Sequence, residues 1–149
     1  MKKLIFFFLA FALVGSCYAQ KISASKVPTP VTAAFKKQYP DVKSVTWEME
    51  DGNYEANFKQ KGTETSAVFD KNGAQLESEI EIKSSQLPAQ ATTYLKSHYK
   101  SGVKEAAKIT KTNGEVNYEA VVGGKELIFD SNGKYLMEKE EKEPKGKKQ

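Results

Sequence analysis

Few residues of this 149-residue chain could do chemistry, and their spacing restricts what that chemistry is. There is one cysteine, Cys17, and one histidine, His98. One histidine cannot build a histidine metal cage, and no Ser-His-Asp or Cys-His pattern surrounds it. Gly123-Gly124 stands between two strand-like runs and not ahead of a helix, so no phosphate-cradling loop is expected. Asp70-Lys71-Asn72-Gly73 and Asp130-Ser131-Asn132-Gly133 open in the way a calcium loop does. A full loop needs a bidentate glutamate six residues past the glycine; the positions hold Glu79 and Lys139, and the lysine defeats the second loop. Turns are the expected reading of both tetrapeptides, with calcium binding as an alternative. No catalytic, cofactor or metal-ligating residue is expected, and the chain is read as not an enzyme.

What remains is surface chemistry. In the first half, glutamates of one strand parity accumulate: Glu48, Glu50, Glu55, Glu64, Glu77, Glu79 and Glu81, with Lys59 as the only cation among them. Like charges on neighbouring strands repel and cost some stability; the face reads as a solvated charged surface, or alternatively as an acidic surface that meets a cationic partner. The matching parity of the second half is mixed, with Lys108, Glu119, Glu126, Lys134 and Glu138 beside Val121, Ile128 and Leu136, three apolar residues expected to form an exposed patch. The candidate partner-binding face is therefore Glu48, Glu50, Glu55, Lys59, Glu77, Glu79, Val121, Ile128 and Leu136. The net charge is +4, and all 23 basic residues are lysine. The absence of arginine argues against base-specific nucleic-acid readout, and no nucleic-acid partner is expected.

These faces require strands, and the strands come in two sets. Val27-Pro28 returns as Leu87-Pro88, and Asn53-Tyr54-Glu55-Ala56 returns intact as Asn117-Tyr118-Glu119-Ala120. Phe69-Asp70-Lys71-Asn72-Gly73 returns as Phe129-Asp130-Ser131-Asn132-Gly133, so the chain is an internal duplication. Each copy starts with a helix. Val27, Val31, Ala34, Phe35 and Tyr39 share one face, as do Leu87, Ala91, Tyr94, Leu95 and Tyr99. Four alternating runs follow in each copy, at about 44–50, 54–60, 63–69 and 74–82, then 105–111, 115–122, 125–129 and 134–139. Asp51-Gly52, Asn113-Gly114 and Gly123-Gly124 supply hairpin turns. Trp47, Tyr54 and Phe58, on one parity with Val45, Met49 and Ala56, are expected beneath the helix rather than as a ligand platform. A unit of about 55 residues is marginal alone, so the two units are expected to share a core and to join all eight strands in one sheet.

Both ends read differently. Met1-Lys2-Lys3, an apolar run from Leu4 to Val14, and Gly15-Ser16-Cys17-Tyr18-Ala19 make a secretory signal peptide, with cleavage expected after Ala19. Val14-Gly15-Ser16-Cys17 is a weaker match to a lipobox, the alternative in which an acylated Cys17 anchors the protein to a membrane. Residues 140–149 lack apolar content and read as a disordered charged tail. The expected organisation is a signal peptide at 1–19, repeats at 20–83 and 84–139, and the tail.

The run Phe35-Lys36-Lys37, Tyr39-Pro40, Val45-Thr46-Trp47-Glu48, Gly52-Asn53-Tyr54-Glu55-Ala56-Asn57-Phe58 and Phe69-Asp70-x-x-Gly73 resembles the PepSY-like family of secreted bacterial proteins, also described as beta-lactamase-inhibitor-like. The resemblance extends from about Val27 to Lys139. It implies an α+β fold, a tandem repeat of a helix plus a four-stranded antiparallel sheet, with the helices packed on one face of a continuous eight-stranded sheet. It also implies an exported, non-enzymatic protein. Better-known proteins of this fold grip an enzyme on a sheet face. This chain has no disulfides and no identifiable inhibitory loop, so beta-lactamase inhibition does not follow. The combined expectation is a periplasmic or secreted, cofactor-free binding module for a protein or peptide, on the open sheet face. A lipid-anchored structural envelope protein is the alternative, touching a membrane only if Cys17 is acylated.

Overall fold

The computed structural model describes residues 20–140. The signal peptide, its Ala19 cleavage site, the lipobox alternative and residues 141–149 of the expected tail lie outside the described residues.

Nine antiparallel strands form one sheet in simple sequence order. They are β1 (Gln20–Ile22), β2 (Val45–Glu50), β3 (Asn53–Gln60), β4 (Thr63–Phe69), β5 (Gln75–Glu81), β6 (Glu105–Lys111), β7 (Val116–Val122), β8 (Lys125–Asp130) and β9 (Tyr135–Glu140). Helices α1 (Thr29–Gln38) and α2 (Ala89–His98) are both ten residues long and stand 60 residues apart. Both begin directly after a proline, and the Pro28 and Pro88 carbonyls accept from the N–H groups of Thr32 and Thr92. The hairpins close where left-handed residues are present. Asp51 and Gly52 have φ of 51° and 78°, and Gly123 and Gly124 have φ of 61° and 79°, the pattern that matches strand twist.

The ninth strand was not expected. β1 is three residues long with one apolar side chain, too short for alternation to register. It pairs through Gln20↔Met49, Lys21↔Glu48 and Ile22↔Trp47. The duplication explains it, because Ile22 stands 60 residues before Ile82 and each packs against its own repeat's core. Glu140, assigned to the tail on composition, instead closes β9 opposite Lys125.

The two units do not share a core. One cluster joins Val31 and Phe35 of α1 to Trp47, Ala56, Phe58, Ala67 and Phe69. The other joins Ala91 and Leu95 of α2 to Ala106, Ala120, Val122, Leu127 and Phe129. Where the units meet, β5 pairs with β6 from Glu77↔Lys111 to Glu81↔Ala107. On the helix side the seam carries Ser78, Ile80, Lys108 and Thr110, and Ile80 is exposed. Backbone pairing, with little apolar burial, joins the halves.

Each glycine of the Asp-x-Asn-Gly turns has two reasons to be glycine. Gly73 and Gly133 have φ of 85° and 87°, and a Cβ would stand 2.5 Å from the Pro30 carbonyl oxygen or 2.7 Å from the Ala91 nitrogen. The turn that ends β4 or β8 is thus pressed against the first turn of its helix.

Candidate functional site

Both helices pack on the Trp47 side of the sheet, so strand alternation assigns the glutamates to the opposite face. Register arranges that face in rows running across the strands. One row runs Lys21, Glu48, Glu55, Val68, Glu77, Lys111. A second runs Thr46, Asn57, Ser66, Glu79, Ile109, Asn117, Asp130, and a third runs Glu81, Ala107, Glu119, Ile128, Met137. The candidate face of the first repeat is therefore one surface. Glu48 and Glu55 stand directly opposite each other, Glu77 lies two strands beyond Glu55, and Glu79 lies opposite Ser66. Glu50 holds the end of β2 opposite Asn53 by its backbone.

Exposure differs from expectation. Lys59 is exposed and pairs with Glu64 at 2.8 Å, and Glu77 and Glu79 are half-buried. Glu48 and Glu55 are buried, at 5% and 7% exposure. The expected exposed apolar patch does not form as such: Val121 and Ile128 are buried, and only Leu136, at 48%, is exposed. Register supplies a physical reason. Val121 is flanked by Glu105 and Glu126, and Ile128 by Glu119 and Met137, longer side chains that cover shorter neighbours.

A bulge accounts for the displacement of Leu136 and Glu138. Between Val68 and Phe69, and again between Ile128 and Phe129, the partner strand gains one residue, Leu76 in β5 and Leu136 in β9. An extra residue inverts the parity beyond it. Glu138, expected on the open face with Leu136, instead lies opposite Leu127 on the helix side, where the Tyr99 hydroxyl donates to its Oε2 at 3.2 Å. Lys125 pairs with its other oxygen at 2.6 Å, and that hydrogen bond holds the Glu138 carboxyl below the usual range. Lys108 also belongs to the helix side, opposite Tyr118. The hydrogen bond and charge of Glu64, with Glu81 adding a smaller effect, raise the Lys59 ammonium above its ordinary value.

The turn aspartates have their own partners. Asp70 Oδ1 accepts from the N–H groups of Asn72 at 2.8 Å and Ala74 at 2.9 Å. Asp130 Oδ1 does the same with Asn132 and Lys134, both at 2.9 Å. The bond from Ala74, chief among these backbone donors, lowers the Asp70 pKa. Both aspartates thus close Asx turns of the kind expected for these tetrapeptides. Among the described residues no group of three or more His, Cys, Asp or Glu is placed to hold a metal ion. His98 ends α2 exposed, its ring stacked on Tyr94 at 4.0 Å, with Nδ1 2.9 Å from the Tyr94 carbonyl oxygen. The Ser97 hydroxyl stands at the same 2.9 Å from Nδ1.

Solved structures share this architecture. A Bacteroides eggerthii protein described as periplasmic is 19% identical, with a TM-score of 0.68 over 76% of this chain and 88% of its own. A DUF2874 family protein from Bacteroides ovatus is 22% identical, with a TM-score of 0.64 over 76% and 86%. A BLIP-like protein from Bacteroides fragilis is 28% identical, with a TM-score of 0.55 over the same shares. No curated protein sequence matches significantly. The family described as beta-lactamase-inhibitor-like, PepSY-like matches residues 14–74 and 52–137, spanning both repeats. With a two-helix, single-sheet fold and a family match over most of its length, this chain belongs to the PepSY-like, beta-lactamase-inhibitor-like family.

Proposed function

We propose that this protein is an exported, non-catalytic binding module that works in the periplasm and holds a protein or peptide on the sheet face opposite its helices. The observation that carries the reading is that face itself. It extends across nine strands, no described helix packs on it, and its first half presents Glu64, Glu77, Glu79 and Glu81 around the buried Glu48 and Glu55. Family membership supports a binding role, and the Bacteroides eggerthii relative's description supports the compartment. A cationic segment suits the acidic half, because opposed potentials speed association and penalise wrong partners. Processing after Ala19 would make Gln20, the first residue of β1, the start of the mature protein.

Tagged mature protein would capture the partner from periplasmic extract, and association would then be measured with purified components. Changing Glu77, Glu79 and Glu81 together to Gln should slow association while leaving the denaturation midpoint nearly unchanged. Salt should slow it too, since screening acts beyond about 8–10 Å. A partner whose association ignores both changes does not use this face.

A further inference from the structure

The segments that bear the helices contain one acidic residue, Asp41, which follows α1. Residues 22–40 carry Lys26, Lys36 and Lys37, and residues 82–103 carry Lys83, Lys96 and Lys100, with no Asp or Glu in either. All six lysines are exposed. The opposite sheet face carries most of the glutamates, together with Lys21, Lys59, Lys111 and Lys139, so the helix segments are the more uniformly cationic side. This polarity is hidden in the totals. Leaving out two lysines before Gln20 and four after Glu140 leaves 17 of 23, and leaving out Glu141 and Glu143 leaves 17 of 19 acids.

Of the carboxylates near the helices, Asp41 is exposed after α1 and three others are engaged. Asp70 and Asp130 accept turn N–H groups, and Glu138 is held by Lys125 and Tyr99. Beside the end of α2, a surface depression adds the hydroxyl-bearing Ser84, Ser85, Ser97 and Ser101 to Lys96 and Lys100. Ammonium and hydroxyl donors without a competing carboxylate suit phosphate oxygens.

Spacing selects the size of the ligand. α1 packs over β2–β4 and α2 over β6–β8, four strands apart or about 19 Å at the usual strand spacing. One small anion reaches only one lysine group; a continuous anionic surface reaches both. Among the described residues no helix is long and apolar enough to cross a membrane, so the contact is peripheral.

We infer that the helix layer docks on an anionic lipid surface, with phosphate headgroups against the lysines of both repeats and the acidic sheet face turned away. This contact needs no acylation of Cys17, and it leaves free the face assigned to the partner.

The test is co-sedimentation of the unlipidated mature chain, Gln20 to Gln149, with vesicles of phosphatidylglycerol and phosphatidylethanolamine against vesicles of phosphatidylcholine. Binding is expected to the anionic vesicles alone and to weaken as salt rises. Each lysine near the surface contributes roughly fivefold in partition. Changing Lys36, Lys37, Lys96 and Lys100 to Gln should therefore weaken binding by roughly 600-fold, nearly three orders of magnitude. Changing Lys59 and Lys139, on the sheet face, should leave it within about threefold. Equal binding to neutral vesicles, no binding to anionic ones, or retention by the quadruple variant would overturn the inference. Millimolar inorganic phosphate that releases the protein would reduce the site to a single-anion pocket and overturn it too. So would salt-reversible self-association without lipid, which would give the helix layer to the acidic face of a second copy.

Discussion

The two repeats share a backbone plan and fill it with opposite distributions of bulk. In the first, aromatic mass lies over β2 and β3: Phe35 meets Trp47 edge-on at 5.4 Å and Phe58 at 5.1 Å. The corresponding residues in the second repeat are Leu95, Ala106 and Val122, all smaller. There the mass lies over β8 and β9 instead. Tyr94 stacks on Tyr135 at 4.8 Å and meets Phe129 edge-on at 5.8 Å, where the first repeat has Ala34 and Gln75 in place of the tyrosines. Leu127 fills the position of Ala67. A helix can be seated on a sheet from either flank, provided that loss of volume on one side is met by gain on the other.

The strongest way to break this comparison is to remove bulk where only one repeat has it. Trp47→Ala should destabilise the protein by about 3–5 kcal/mol, read as a lowered denaturation midpoint by circular dichroism. An unchanged midpoint would mean that the indole is not part of the packing. Its counterpart, Leu127→Ala, should cost about 2–5 kcal/mol. Because Trp47 is the only tryptophan and stands in the first core, its fluorescence reports on that core. If β5, which pairs with both β4 and β6, makes the halves unfold as one, Leu127→Ala will lower the fluorescence midpoint as far as the dichroism midpoint. A fluorescence midpoint left in place would show that separate cores unfold separately.

A feature the repeats hold in common should respond alike in both. Gly73→Ala and Gly133→Ala each add a Cβ into backbone at positive φ and should cost about 2 kcal/mol or more. Gly62→Ala has the same kind of φ, 87°, with nothing within 4 Å of its Cβ, and should cost about 1 kcal/mol. Chemical denaturation of the three variants separates the clash from the strain.

The smallest expected effect concerns the tyrosines that end the helices. Tyr39 donates to Gln75, a neutral partner, at 3.3 Å, and Tyr99 donates to Glu138. The folded state lowers the Glu138 pKa, chiefly through the Lys125 hydrogen bond. Its contribution is therefore complete above the unfolded carboxylate pKa and disappears as pH falls through the lower folded value. Glu138→Gln should flatten that part of the stability–pH profile slightly, while Gln75→Ala should leave its shape unchanged. Equal slopes for the Glu138 variant and the parent would remove Glu138 from the acid response.

Much of this architecture is legible because its signals are local. Trp47, Phe58 and Ala56 declare their buried side by alternation, and the glycine turns state where strands end. The candidate face was less legible. Glu77 and Glu79 lie where parity places them, but Leu136 is the extra residue of a bulge and Glu138 lies beyond it, and a bulge has no hydropathy pattern of its own. β1 left one trace, the return of Ile22 as Ile82, which repeat comparison can detect and alternation cannot.

Sequence by itself determined the duplication, both helices, eight of the nine strands and the residues beneath each helix, since all follow from periodicity within a few residues. Only the three-dimensional arrangement shows that the halves keep separate cores, that Glu48 and Glu55 are buried, and that the helix lysines lie away from most of the glutamates. Those properties depend on how distant strands pair. One inserted residue shifts every side chain beyond it to the other face, and neighbours on the adjoining strands decide what water can reach.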